Sequence, residues 1–336
     1  GSLHAHSAAT YLCDGTPASH TFDLVKLANA NAGAFAAGPS KLFGLPFGAV
    51  TFWALFATMA MTAPLFPFGA WATALSSRAP VGVGGLLAGL LPAMAIYGFL
   101  RLALPLVPEA ALSASTVVAA LGAFGVLYAT LLARAATDVR RFLACAGAAR
   151  VAFCLVGLSR ATPAGLSGAL AQVLASGLVS ALCFGLADAA LAPGATLDDV
   201  EGLAGRAPRA AKLLVFAALA SMGAPGLATF VGPALIALDA FGRHAGLASL
   251  LLVAIAFSTG AHARVVRRAF TPVPMMGADA AASSGQGARD LDRRALAVAL
   301  PLAALVLALG LAPAALLDVF AVSVRDLVLL LASPRG

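Results

Sequence analysis

Eight apolar stretches, near 46–66, 81–107, 111–133, 142–159, 165–192, 211–240, 246–263 and 295–317, fill most of this 336-residue chain. A helix that crosses a bilayer needs about 20 such residues at 1.5 Å rise per residue. Inside lipid every backbone N–H and C=O must be satisfied, and a helix does this within one segment. The predicted fold is therefore all-α: a polytopic transmembrane helix bundle of about eight spans. Composition agrees, because 61% of residues are hydrophobic and 10% charged, which leaves too little polar surface for a soluble domain. Aromatic residues are only 7%, so these helices are expected to pack closely through small residues.

The pattern divides the chain into residues 1–45, an extramembrane N-terminal segment holding His4, His6 and His20; residues 46–318, the bundle; and residues 319–336, a C-terminal interfacial tail carrying Arg325. Polar loops lie at 193–210 and 271–294, the second with the flexible composition GADAAASSGQGARD. The chain opens at Gly1 without Met and without a basic stretch leading into an apolar core, so processing or truncation is expected. Cys145, Cys154 and Cys183 stand in apolar segments and only Cys13 in a polar one, a distribution that does not suit a disulfide framework.

A net charge of +7 would suggest nucleic acid in a soluble chain, but here the basic residues flank apolar runs, so nucleic-acid binding is set aside. If residues 1–45 lie on one side, that side collects Lys26, Lys41, Arg101, Arg160, Arg243, Arg325 and Arg335, and the other collects 13 of the 21 basic residues, with Arg150 alone inside a span. The richer side is expected to be cytoplasm or matrix, with both termini on the periplasmic or intermembrane-space side.

Two spans carry proline in their interior. Pro64 and Pro67 interrupt TMAMTAPLFPFGAW, and Gly223, Pro225, Gly226 and Pro233 interrupt ASMGAPGLATFVGPAL. Each proline removes an intrahelical hydrogen bond and frees a carbonyl. Two discontinuous helices point towards ion or proton transport, since such breaks recur at transporter sites; a packing kink is the plainer reading.

These strings occur in the order of a known family. APLFPFGAW resembles the K-V-P-M-F-P-F-H-T-W signature of the chain 4 (bacterial subunit M) family of NADH-ubiquinone oxidoreductase. LLAGLLPAMAIYGFLRLALPL resembles that family's next helix, ATDVRRFLACAGAARVAF its T-D-L-K-R-L-I-A-Y-S-S-V-S-H-M-G-F segment, and ASMGAPGLATFVGPAL its S-I-G-L-P-G-L-N-G-F-V-G-E-F helix. TFDLVKL looks like the loop preceding the first of these. Chains 2 and 5 and the cation/proton antiporter subunits share this fold. The resemblance implies that the chain corresponds to the last eight of the family's fourteen helices.

Members of the family pass protons along buried ionisable groups at bilayer mid-depth. Carried over residue by residue, those positions fall on Thr62, Gly69, Ala93, Arg150, Ser176 and Pro233. None keeps the family residue, and the one that stays charged is an arginine, which does not deprotonate at accessible pH. Thr62 and Ser176 can hydrogen-bond water but store no proton. Arg150 in a helix centre is expected to pair with a carboxylate, a carbonyl or a lipid phosphate. Asp188 is expected at the membrane surface or against Arg150, and His262, beside Arg264, at the interface. Asp138 is expected to cap its helix, with Arg140 and Arg141 at the inner surface.

No phosphate-binding glycine loop and no C-x-x-C pair appears. The resemblance thus implies no cofactor in this chain, with NADH, FMN, iron-sulfur clusters and quinone on partner subunits. It implies a structural membrane-arm subunit of respiratory NADH:quinone oxidoreductase (complex I), its own proton channel degenerate, in a mitochondrial inner or bacterial cytoplasmic membrane. Expected partners are chain 2-like and chain 5-like neighbours, lipids, and a separate chain supplying the missing N-terminal helices. The alternatives are a cation/proton antiporter-type transporter subunit and the scaffold half of a split gene.

Overall fold

The structure is a computed structural model that describes residues 41–42, 45–80, 82–242, 245–271 and 289–332. The three N-terminal histidines, TFDLVKL and most of the 271–294 connector lie outside the described residues. Strands Lys41–Leu42 and Leu45–Pro46 pair antiparallel and lead into a bundle of helices.

In chain order these are α1 (Phe47–Thr62), α2 (Ala70–Arg78), α3 (Val83–Gly98, running on through a π-helical turn to Leu106), α4 (Pro108–Ser113), α5 (Ser115–Ala135), α6 (Val139–Ser159), α7 (Pro163–Ala190), α8 (Leu203–Arg206), α9 (Pro208–Met222), α10 (Ala228–Phe241), α11 (Ala245–Phe270), α12 (Arg293–Leu311) and α13 (Pro313–Ala332). Six of them, α3, α5, α6, α7, α11 and α12, are long and apolar enough to cross a membrane. The pairs α1/α2 and α9/α10 are broken helices whose halves α1 and α10 are shorter apolar segments. Six spans and two broken pairs give the eight membrane passages that the apolar runs predict.

Helix α6 is the axis of the bundle: 94% of its apolar window is buried, against 11% for α12 at the periphery. Its sequence explains this, since RFLACAGAARVAF presents small residues on every face and lets neighbouring backbones approach all round. Helices α5 and α7 flank it, α7 carries α10 and α3 on its further sides, and α11 lies along α5.

One end of the bundle is knitted together by its loops. Backbone bonds join Val139 N–H to the Ala195 carbonyl at 3.1 Å, Leu197 N–H to that of Thr137 at 2.7 Å and Gly202 N–H to that of Arg268 at 3.2 Å. Arg264 donates to the Arg134 carbonyl at 3.0 Å, and Asp290 accepts the Ala210 N–H at 3.1 Å. Arg78, Arg140 and Arg141 line one cavity of about 670 Å³ at this end with Asp138. The basic loops assigned to one side by counting therefore meet in space.

Two expectations for this end are corrected and a third is extended. Asp138 stands at the N-cap of α6 but its side chain accepts no capping bond; the chain is held at this point by the backbone bonds that flank its antiparallel bridge with Thr196. Asp188 does not meet Arg150. Its carboxylate, 5% exposed, pairs with Arg140 and accepts the Gly82 N–H at 2.8 Å. Arg140 also donates to the Ala79 carbonyl at 2.8 Å, so Arg140 clamps the α2–α3 turn rather than standing only as a surface anchor.

Candidate functional site

The two helix breaks are built differently. Between α1 and α2 the chain runs through Pro64 and Pro67, and Gly69 comes so close to the Pro64 residue that a Cβ would lie 2.4 Å from the Pro64 carbonyl carbon. No side chain fits there without moving backbone. Thr62, the last residue of α1, donates its hydroxyl to the Thr58 carbonyl at 3.0 Å. Trp71 Nε1 closes the break by donating to the Met61 carbonyl at 2.9 Å.

Between α9 and α10, Gly223 and Gly226 adopt φ of +78° and +88°, left-handed conformations that cost glycine nothing. Gly223 ends α9 in this way, Ala224 N–H bonds the Leu219 carbonyl at 3.1 Å, and the Thr229 hydroxyl reaches back to the Ala220 carbonyl. The Leu219 and Ala220 carbonyls at the end of α9 are thus satisfied locally. Pro233, which the sequence groups with this break, instead lies inside the continuous helix α10.

Of the six matched relay positions, Arg150 and Pro233 line a single cavity of about 240 Å³, together with Gln172, Gly223 and Thr229. Ala93 sits half-buried on α3 after Pro92, and Ser176, 1% exposed, sits on α7 one turn before Ser180.

Arg150 is 6% exposed, and among the described residues its guanidinium meets two hydroxyls rather than a carboxylate or a carbonyl. One guanidinium nitrogen donates to Ser180 Oγ at 2.9 Å and the other to Ser221 Oγ. The hydroxyls come from α7, which packs against α6, and from α9, which packs on α7 and α11.

His262 is the second correction at the site: it is 2% exposed, inside the bundle rather than at its interface. Nε2 lies 2.8 Å from Ser221 Oγ and Nδ1 2.9 Å from the Ser258 carbonyl. A carbonyl only accepts, so Nδ1 carries a proton; in the neutral ring Nε2 then accepts, and the Ser221 hydroxyl donates to it while accepting from Arg150. Phe142 packs edge-on against the imidazole at 5.1 Å between ring centres. The assembled site is a polar string, Ser180–Arg150–Ser221–His262–Ser258, crossing four helices. Among the described residues no three His, Cys, Asp or Glu side chains group to hold a metal ion.

A family model described as NADH:quinone oxidoreductase/Mrp antiporter, TM matches residues 23–258. The chain is similar to NADH-quinone oxidoreductase subunit M of Rickettsia conorii, 28% identical over 280 residues, which are 83% of this chain and 56% of that one. It is 31% identical over 273 residues to subunit M of Pseudomonas aeruginosa, 80% of this chain and 52% of that one. The chain thus spans little more than half the length of these curated relatives. Among solved structures, a chain of respiratory complex I from Thermus thermophilus with bound NADH superposes with TM-score 0.80 and 26% identity, over 98% of this chain and 66% of that one. A chain of the Mrp complex from Dietzia superposes with TM-score 0.75 at 20% identity, over 97% of this chain and 65% of that one, a likeness of fold.

Proposed function

The chain belongs to the NADH:quinone oxidoreductase/Mrp antiporter membrane family, and from that premise we propose that it is a subunit M-like, or chain 4-like, membrane-arm subunit that has kept its packing surfaces and lost its own proton path. Gly69 carries this reading. At the position matched to a relay histidine, the Pro64 backbone occupies the space where any side chain would begin. The remaining matched positions hold Thr62, Ala93, Arg150, Ser176 and Pro233, and none of these releases a proton at accessible pH.

Under this reading NADH, FMN, the iron-sulfur clusters and quinone sit on partner subunits, and the neighbours are chain 2-like and chain 5-like. Mild detergent extraction followed by native electrophoresis tests it: the chain should migrate in a large complex carrying flavin and iron-sulfur subunits. Isolation with small transport subunits alone would instead favour a cation/proton antiporter assembly. A separate chain of about six helices cross-linking to residues 46–110 would favour the split-gene reading; on that face Leu86, Leu90, Met94 and Tyr97 form an exposed stripe along α3.

The reading also places the chain in an energy-transducing inner membrane, with the knitted basic end on the cytoplasmic or matrix side and both termini opposite. Single cysteines introduced as Ala135→Cys, Pro193→Cys and Arg289→Cys should resist a membrane-impermeant maleimide added outside sealed right-side-out vesicles. Labelling of all three would reverse the orientation.

The α9–α10 break serves packing under the same reading. A Cβ on Gly310 of α12 would lie 2.3 Å from the Gly226 carbonyl oxygen, so α12 rests directly on the broken backbone. Pro225→Ala, which favours a continuous helix, should reduce the yield of assembled complex more than the turnover of each complex that does assemble. Full assembly with lost turnover would contradict a packing role.

A further inference from the structure

Arg150 carries a charge in the middle of the bundle, yet its hydrogen-bond shell is neutral. Two of its nitrogens meet the hydroxyls of Ser180 and Ser221, and Ser221 in turn donates a hydrogen bond to His262. Arg150 Nε has no partner, and among the described residues no carboxylate forms an ion pair with it. Taking such a charge out of water without a counter-charge is strongly unfavourable.

Beside it lies the 240 Å³ cavity. Gln172, 1% exposed, borders the same space with its Oε1 unpartnered, and its amide can turn the NH₂ end inward to donate. The first turn of α10 forms another wall through Thr229 and Phe230. This half-helix has no side-chain cap at Leu227, so the positive end of its dipole lies beside the cavity that its first turn lines. Guanidinium and helix start converge on one space and favour an anion, and the amide does the same once its NH₂ end is turned inward.

We propose that this cavity binds a small monovalent inorganic anion of the size and charge of chloride, as the counter-charge of Arg150. At about 30 Å³ per water the space holds such an ion with several waters. One fixed positive charge matches one negative charge, and the walls built by Val126, Phe153, Leu252 and Ile255 disfavour a polyvalent oxyanion, which would keep uncompensated charge among apolar groups. The site is independent of the function proposed above, since it is read by ion binding without electron transfer.

The test is equilibrium binding of radioactive chloride to the purified chain or its native complex in lipid nanodiscs, with bromide and gluconate as competitors. Saturable binding displaced by bromide but not gluconate is expected, together with a melting temperature about 2–4 °C higher in chloride than in gluconate at equal ionic strength. Arg150→Lys should retain binding and Arg150→Met abolish it. Because Arg150→Met also disturbs a buried network, Gln172→Leu supplies a milder arm, with affinity reduced about tenfold or more. The proposal is overturned if the wild-type protein shows no saturable chloride binding and melts equally in both salts, or if chloride binding survives unchanged in Arg150→Met. The first outcome would assign the counter-charge of Arg150 to a carboxylate of another subunit or a lipid phosphate.

Discussion

Gly157→Val and Gly165→Val should each abolish accumulation of the folded chain, whereas Ala161→Gly, four residues from both, should raise its stability. The α6–α7 hairpin turns in three residues, and its two glycines press on each other: a Cβ on Gly157 would lie 2.6 Å from the Gly165 carbonyl oxygen, and a Cβ on Gly165 2.5 Å from that of Gly157. Both obstacles are backbone, held by a Thr162 side chain that accepts the Gly165 N–H at 3.1 Å. Overpacking of a well-packed core typically costs about 1–3 kcal/mol, and an obstacle that cannot rotate away belongs at the upper end. Ile236 Cγ1 stands 2.8 Å from the same Gly157 Cβ position, so α10 would be displaced with α7. Ala161 by contrast sits at φ of +51°, a left-handed conformation in which alanine costs roughly 1–2 kcal/mol that glycine avoids. Thermal unfolding in detergent ranks the variants. Gly165→Val melting like the wild-type chain would show that these helices do not approach as closely as described.

The architecture was legible because lipid imposes one rule on every span: an apolar run of sufficient length becomes a helix. The breaks were legible where proline coincides with glycine, as at Gly223, Pro225 and Gly226. Proline alone did not decide, because Pro92, Pro233 and Pro301 lie inside continuous helices. The polar string was not legible. Ser180 and Ser221 read as two serines among many, and only the reach of Arg150 from α6 to α7 and α9 reveals them as its partners. His262 did leave a signal. Ala248, Leu251, Ala254, Ala261, Val265 and Ala269 form the buried stripe of α11, and position 262 falls on that stripe at helical spacing; proximity to Arg264 misdirected the reading towards the interface. Asp188 was legible too, because the three-residue turn makes α6 and α7 antiparallel and so sets Asp188, near the end of α7, level with Arg140 at the start of α6 rather than with Arg150 at its middle.

Reconstituted complex containing this chain should translocate fewer protons per electron pair than relatives with intact relay residues, by the share of one antiporter-like subunit, and neither Arg150→Ala nor His262→Gln should change the ratio. A proton relay needs members that both accept and release a proton. At the matched positions Gly69, Ala93 and Pro233 do neither, and Thr62 directs its hydroxyl to the Thr58 carbonyl of its own helix. His262 is the ionisable group the matched positions do not include, so it is the strongest rival route. Its Nδ1 proton goes to the Ser258 carbonyl, and its Nε2 communicates with Ser221, whose other partner is the Arg150 guanidinium. A guanidinium offers five donors and no lone pair, so a proton arriving through Ser221 finds no acceptor there, and the string ends where a conducting wire would have to continue. Removing Arg150 deletes that obstacle but supplies no group to load and unload, which is why the alanine variant should not regain pumping. Proton uptake in vesicles, referred to quinone reduction in the same preparation, gives the ratio. A full ratio that falls on substituting Thr62, Ser176 or His262 would defeat this reading and establish a route that runs through water held by those side chains.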